Sequence, residues 1–334
     1  MKKCCFVIAY FGKLNNYFQL FLKTCAFNHE FTWFVFTDDM TPYQYPDNVI
    51  RYEMKFEQLR ELVQKKFDFH IELNSPYKLC DFKPAYGYIF EEYLKEFEYW
   101  GHCDTDTIMG DLSKFLTDQL LSEFDKLFCL GHMTIYKNTH ENNRVFMRPY
   151  SGEYLYRKVF SNPKICWFDE EWKDDDNVNQ IFIHEGKRVF QKDLSANFNI
   201  WTNSFQRKVY VGNGASDGHG YCDEPLISNS LYYWKNGACK RKYILNGKLK
   251  TDEFLYIHLQ SRRMYFDKSI LKLNQFKILP NRFLKLEGDP DNYEDFIKIK
   301  KKCICFHEFQ LKYKRYIRNW KRRVRKIRSL IIRR

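Results

Sequence analysis

Short apolar runs alternate with amphipathic stretches over the first 130 residues, and their two periods distinguish strand from helix. Cys4–Ala9 is apolar without interruption, the mark of a strand buried on both faces. Thr32–Thr37 repeats that pattern and runs into Asp38 and Asp39. Between and after these, 16–26 and 56–67 carry apolar residues at helical spacing. Past Pro84, the residues Tyr86, Ile89, Phe90, Tyr93, Leu94 and Phe97 predict one further continuous helix. Strands alternating with helices imply an α/β fold with a helix-covered parallel sheet. Ligands of such sheets sit at the carboxyl ends of strands, which places Tyr10, Phe11, Asp38 and Asp39 on a candidate binding rim. The helix after Pro84 would open near Lys78, Asp81 and Lys83. A helix start there suits a phosphate; the alternative is that Asp81 only caps the helix and Lys83 is solvated.

Charge divides the chain. Of the formal +13, twelve Lys and Arg residues lie in 312–334 without one acid, so the body is close to neutral. That excludes a basic nucleic-acid-gripping body. Within the tail, Tyr313, Tyr316, Ile317, Trp320, Val324, Ile327 and Ile331 fall on one helical face, with Arg322, Arg323 and Lys326 among the basic residues beside them. A basic amphipathic helix of this kind suits an anionic membrane surface; a helix docked on its own domain is the alternative. The longest apolar run, Cys4–Phe11, is far short of the ~20 residues of a membrane span. No signal-peptide pattern follows it, so the expected location is cytoplasmic, peripheral at the inner face of the plasma membrane. Eleven cysteines with no C-x-x-C pair read as reduced thiols, mostly buried.

The chemistry-bearing stretch is Trp100-Gly-His-Cys-Asp104-Thr-Asp106. Extended residues at i and i+2 point the same way, so Asp104 and Asp106 would converge at a strand end. Paired carboxylates suit Mg²⁺ or Mn²⁺ shared with substrate phosphates, whereas an isolated Asp-x-Asp is often a turn or cap. Downstream, Leu255, Ile257 and Leu259 alternate with Tyr256, His258, Gln260 and Arg262, which puts His258 on the face opposite the aliphatic residues. Cys166-Trp-Phe-Asp169-Glu170 sets acids after a short apolar strand, and Gly131-His132 would end the strand following the Asp-x-Asp segment. Asp174–Asn177 reads as the opening of a helix towards Ile183, and Gly212–Gly220 as a lid or an ordinary turn. No phosphate-loop or dinucleotide fingerprint is present.

Together, Lys78-Leu-Cys-Asp81-Phe-Lys83-Pro84 and the segment ending in Asp104-Thr-Asp106 resemble metal-dependent GT-A glycosyltransferases of bacterial capsule and surface-polysaccharide synthesis, over roughly residues 1–265. The resemblance implies a GT-A domain with a mixed sheet, set at 1–295, followed by the basic tail at 296–334. It implies a hexosyltransferase-type enzyme that moves a sugar from a nucleotide-diphosphate donor, such as a UDP-sugar, to a hydroxyl of a lipid-linked or growing glycan. Asp104, Asp106 and His258 would hold Mn²⁺ or Mg²⁺. Tyr10, Phe11, Asp38, Lys78, Asp81, Lys83, His132, Gln260, Arg262 and Arg263 would face the donor, and Asp169 or Glu170 would be the catalytic carboxylate. Tyr316, Trp320, Arg322, Arg323 and Lys326 would meet the membrane. The rival readings are a metal-dependent nucleotidyltransferase and a non-enzymatic basic module that binds membrane or nucleic acid.

Overall fold

The computed structural model describes residues 2–171, 176–200, 202–211 and 220–302, and eight positions between 309 and 320. Four parallel strands form the core: β1 (Lys2–Ala9), β2 (Phe31–Thr37), β3 (Val49–Glu53) and β4 (Phe97–Cys103), in the order β3-β2-β1-β4. Alternate residues of β1 enter opposite cores. Cys5 and Val7 join one with Phe36, Phe82 and Trp100, while Cys4, Phe6 and Ile8 join the other with Trp33 and Ile135. Burial on both faces is what an unbroken apolar strand requires. Helices Phe18–Cys25 and Phe56–Lys65 match the periodic stretches to within two residues.

Past β4 the sheet turns mixed, as the expected GT-A domain requires. Met133–Lys137 pairs antiparallel with β4, and Lys126–Leu127 and Val189–Phe190 complete a mixed sheet. Gly131-His132 therefore precedes a strand rather than ending one. Cys166–Phe168 is not a strand, and only Glu170 makes an isolated bridge, to Leu130.

The continuous helix after Pro84 is also corrected. Pro76–Ala85 is 3₁₀, and the α segments Tyr86–Ile89 and Glu91–Leu94 are separated at Phe90. Gly87 sits against Trp100, where an added Cβ would lie 2.3 Å from the indole. The apolar pattern reported burial at Tyr86, Ile89, Phe90, Leu94 and Phe97, but Tyr93 is exposed and the helix is not regular.

Three further sheets complete the described body, the smallest pairing Lys208–Tyr210 antiparallel with Tyr221–Asp223. Tyr256–His258 runs antiparallel to Thr107–Met109 and parallel to Ala196–Asn197. A five-stranded antiparallel sheet between Leu231 and Lys285 docks on it, Trp234 Nε1 donating to Met109 O at 3.0 Å. Helix Tyr293–Lys298 crosses the expected 295/296 boundary, with Phe296 buried beside Leu231, Tyr233 and Leu286. Helix Val178–His184 is capped by the Asn177 side chain. Residues 172–175 and 212–219, and Cys303 and Cys305, lie outside the described residues. The nine described cysteines are free thiols, six of them buried. Among the described residues no helix is long and apolar enough to cross a membrane.

Candidate active site

At the carboxyl end of β4 a cavity of about 1190 Å³ opens between the central sheet and the small three-stranded sheet. Asp104 and Asp106 leave β4 into it, and His258 enters from the facing strand Tyr256–His258. His258 Nε2 lies 3.3 Å from Asp106 Oδ1 and 3.8 Å from Asp104 Oδ2. Ligand atoms of all three fall within 4.8 Å of one another.

The second polar atom of each side chain is already held by the protein. Asp104 Oδ1 accepts from Lys83 Nζ at 2.9 Å, Asp106 Oδ2 accepts the Ser261 N–H, and His258 Nδ1 faces Asn197 Oδ1 at 3.0 Å. Asn197 Oδ1 also accepts from Gln260 Nε2 at 2.8 Å, so it is an acceptor and His258 carries its proton on Nδ1. What remains is two carboxylate oxygens and an imidazole lone pair aimed at one point. That donor set fits Mn²⁺ or Mg²⁺, and the Asn197 contact is the outer-shell bond that fixes a ligating histidine. Without a cation, electrostatics pulls the same way. Burial works against charge on His258, but Asp106 and Asp104 raise its pKa. Burial likewise opposes ionisation of Asp106, yet the facing His258 holds it down at about 2.

Sequence reasoning missed Asn197 and Ser261. Asn197 stands in a two-residue strand, and Ser261 N–H reaches Asp106 only because Gln260 and Ser261 both adopt left-handed backbone, φ 48° and 56°. Neither carries a periodic or motif signal.

Beside the triad lies an acid pair. Lys83 Nζ contacts Asp104 Oδ1 at 2.9 Å, Gly131 O at 2.9 Å and Asp169 Oδ2 at 3.3 Å. Lining the cavity, it clamps the triad to Asp169 through these three contacts. Gly131, with φ +75°, permits the approach, since a Cβ there would stand 2.9 Å from Glu170 Cβ and 3.0 Å from Asp169 Oδ2. Burial pushes Asp169 up to about 6 despite Lys83. Burial and then the Asp169 charge push Glu170 up to about 8. Between its ordinary value and about 8, Glu170 holds a proton in the folded protein that the unfolded chain has released. Its contribution to stability is therefore full at low pH and lost as pH rises through about 8. In metal-free protein the melting temperature should fall from about pH 5 to about pH 9, and Glu170→Gln should flatten the decline. An equal slope in the variant would count against this assignment.

Tyr10 and Phe11 line the cavity on the β1 side, and His132 lines its floor. The His132 ring centre lies 4.5 Å from that of His258 with the planes tilted by 31°, its Nδ1 meets Tyr256 OH, and its Nε2 has no partner among the described residues. His102, which the sequence did not single out, lines the same floor with both ring nitrogens unpartnered among those residues.

Other expected donor contacts are placed elsewhere. Lys78 and Asp81 are buried outside the cavity lining as a 2.7 Å ion pair, because i and i+3 eclipse in a 3₁₀ helix. No α-helix start is left there to hold a phosphate. Asp38 is exposed, accepts Gly12 N–H at 2.7 Å in the loop after β1, and is not part of the cavity lining. Gln260 and Arg262 line the cavity but hold its wall. Gln260 bonds Asn197 and Ile200, and the Arg262 guanidinium donates to the carbonyls of Pro280, Asn199 and Thr202. Arg263 is exposed, its guanidinium 5.3 Å from the Tyr265 ring centre, and is not part of the lining. In the tail, Tyr316 and Trp320 are exposed at 67% and 55%, while Arg322, Arg323 and Lys326 lie outside the described residues.

A protein-family profile described as a family of unknown function (DUF6625) matches residues 6–287. The chain belongs to DUF6625. Within this DUF6625 chain the matched span covers the triad, the acid pair and the four sheets except the first four residues of β1. Among curated proteins none matches the sequence. Two solved structures similar to the DUF6625 chain are of LgtC. One is the galactosyltransferase in complex with donor and acceptor sugar analogs, at 12% identity and TM-score 0.33 over 58% of this chain and 75% of that one. The other is an active site mutant, also at 12% identity and TM-score 0.33, over 58% and 74%.

Proposed function

We propose that this protein is a metal-dependent glycosyltransferase of GT-A type, which takes a sugar from a nucleotide-diphosphate donor and passes it to a hydroxyl of a glycan. The observation carrying the reading is the convergence of Asp104 Oδ2, Asp106 Oδ1 and His258 Nε2 at the mouth of β4, each with its other polar atom already held. Mn²⁺ or Mg²⁺ bound there would supply Lewis-acid stabilisation to a departing diphosphate. Lys83 fixes Asp104 and Asp169 in one arrangement, so that the metal-holding carboxylate and the acid pair keep register. Glu170 lines the cavity, and its ionised form, a stronger base than an ordinary carboxylate because its pKa is pushed up to about 8, takes the proton of the acceptor hydroxyl as the glycosidic bond forms and the sugar–diphosphate bond breaks. Tyr10, Phe11 and Asn15 on the β1 side leave room for the nucleoside.

Thermal unfolding of the full chain against a panel of sugar nucleotides, with and without Mn²⁺, tests the proposal. One donor should stabilise the fold only when metal is present, by about 2.7 kcal/mol at a hundred times its Kd. Assays of that donor should release nucleoside diphosphate; release of pyrophosphate from nucleoside triphosphates would favour a nucleotidyltransferase instead. No metal-dependent stabilisation by any donor would end the reading.

The exposed Tyr313, Tyr316 and Trp320, with the basic residues of 312–334, support a second element of the proposal. The tail holds the enzyme on an anionic membrane, where a lipid-linked acceptor would be concentrated. Deleting 312–334 should weaken binding to anionic liposomes, and the difference should shrink as salt rises. Equal binding by the truncated chain would remove this element.

A further inference from the structure

Two large aromatic side chains in the cavity lining are left exposed, Tyr77 at 73% and Trp167 at 48%. Trp167 is held out by construction. The N–H groups before and after it, from Cys166 and Phe168, both donate to the buried Asp81 carboxylate, at 2.9 and 3.1 Å. Phe168 is thereby drawn into the core, and Trp167 between the two anchors takes left-handed backbone at φ 55°. A bulky residue is rarely found in that region. Three residues on, Glu170 N–H closes the turn onto Trp167 O. Tyr77 belongs to the same corner. It lines the same cavity as Trp167 and Glu170, and burial, then Cys80 and Glu170, push its pKa up.

We propose that Tyr77 and Trp167 form the acceptor subsite, an aromatic platform for a pyranose ring whose hydroxyl is delivered to Glu170. The inference rests on the glycosyl-transfer reading and names where the second substrate sits. A pyranose offers an apolar C–H face to an aromatic ring and a hydroxylated edge to an acid, and this corner presents both. A donor nucleobase is the competing occupant. It is disfavoured because the corner lies on the far side of β4: Glu170 bridges Leu130 just ahead of the strand Met133–Lys137, about two strand spacings or ~10 Å from β1.

The test uses the full chain with Mn²⁺ and UDP, probed by saturation-transfer NMR and calorimetry with methyl pyranosides, lactose, cellotriose and chitotriose. At least one saccharide should bind. Trp167→Ala and Tyr77→Ala should each weaken it about tenfold, and Trp167→Phe should restore it to within about threefold. Unfolding curves verify that each variant is folded, and Tyr77→Ala keeps the test open if the Trp167 variants are not. Insensitivity of saccharide binding to both alanine variants, or no saccharide binding at all, overturns the proposal. So does a tenfold loss of Mn²⁺–UDP affinity in their place, which would assign the platform to the base. Saccharide binding that depends on Trp167 in a protein that binds no sugar nucleotide would sustain the platform and defeat the transferase reading, so the two failures are separable.

Discussion

Asp106→Asn is expected to reduce donor turnover by about 10³-fold, since a metal ion's stabilisation of leaving-group charge amounts to several kcal/mol and each ~1.4 kcal/mol is a factor of ten. Asparagine keeps the shape but offers one oxygen where aspartate offers two in use. Asp106 Oδ1 faces His258 Nε2 at 3.3 Å, and Oδ2 accepts the Ser261 N–H. If the amide nitrogen turns to the metal position, a ligand is lost; if it turns to Ser261, two N–H groups meet. Either orientation damages the site without opening a cavity. The variant should therefore stay folded while Mn²⁺ affinity, read by calorimetry on the protein alone, falls with turnover. His258→Ala should behave similarly, because Asn197 Oδ1 keeps its bond from Gln260 and the wall survives. Unchanged turnover and unchanged Mn²⁺ affinity in Asp106→Asn would dismiss the triad as a metal site.

How much of this was legible in the sequence follows the range of the interactions. Asp104, Asp106 and the strands around them could be read because period-two patterning and i, i+2 geometry are local. His258 was reachable because alternation around it assigns a face. Its supports were not legible: the Asn197 contact spans 61 positions and the Ser261 contact 155, and left-handed backbone at two non-glycine residues has no compositional sign. Periodicity failed in a more instructive way after Pro84. Tyr86, Ile89, Phe90 and Leu94 pack into the core while Tyr93 stays exposed, yet Gly87 lies against Trp100 and the helix breaks at Phe90. Burial is encoded by the pattern, whereas backbone type depends on what the buried face meets. The same ambiguity made Lys78 and Asp81 look like phosphate ligands. A 3₁₀ turn stacks Lys78 over Asp81 and turns them inward, while Lys83 lines the cavity in contact with Asp104, Asp169 and Gly131.

The buried pair yields the largest expected loss of stability. Asp81→Asn should cost about 3–5 kcal/mol, the range found when one partner of a buried ion pair is removed and the other charge stays. Lys78 would remain with a side chain only 2% exposed, bonded to the Val159 and Lys164 carbonyls but without its counter-charge. Lys78→Met should cost less, because the Asp81 carboxylate keeps two N–H donors, that of Cys166 shared between both its oxygens and that of Phe168. In the double variant no charge is left uncompensated, so its loss should fall well short of the sum of the two, a coupling of about 1–3 kcal/mol in a double-mutant cycle. Denaturant unfolding of the four proteins measures this directly. Additive losses, or a shift below about 1 kcal/mol for Asp81→Asn, would mean that Asp81 acts only as a hydrogen-bond acceptor for the 166–168 turn. The asymmetry between the single variants separates the two roles: a carboxylate that only anchors the turn is replaced tolerably by an amide oxygen, whereas one that also neutralises a buried ammonium is not.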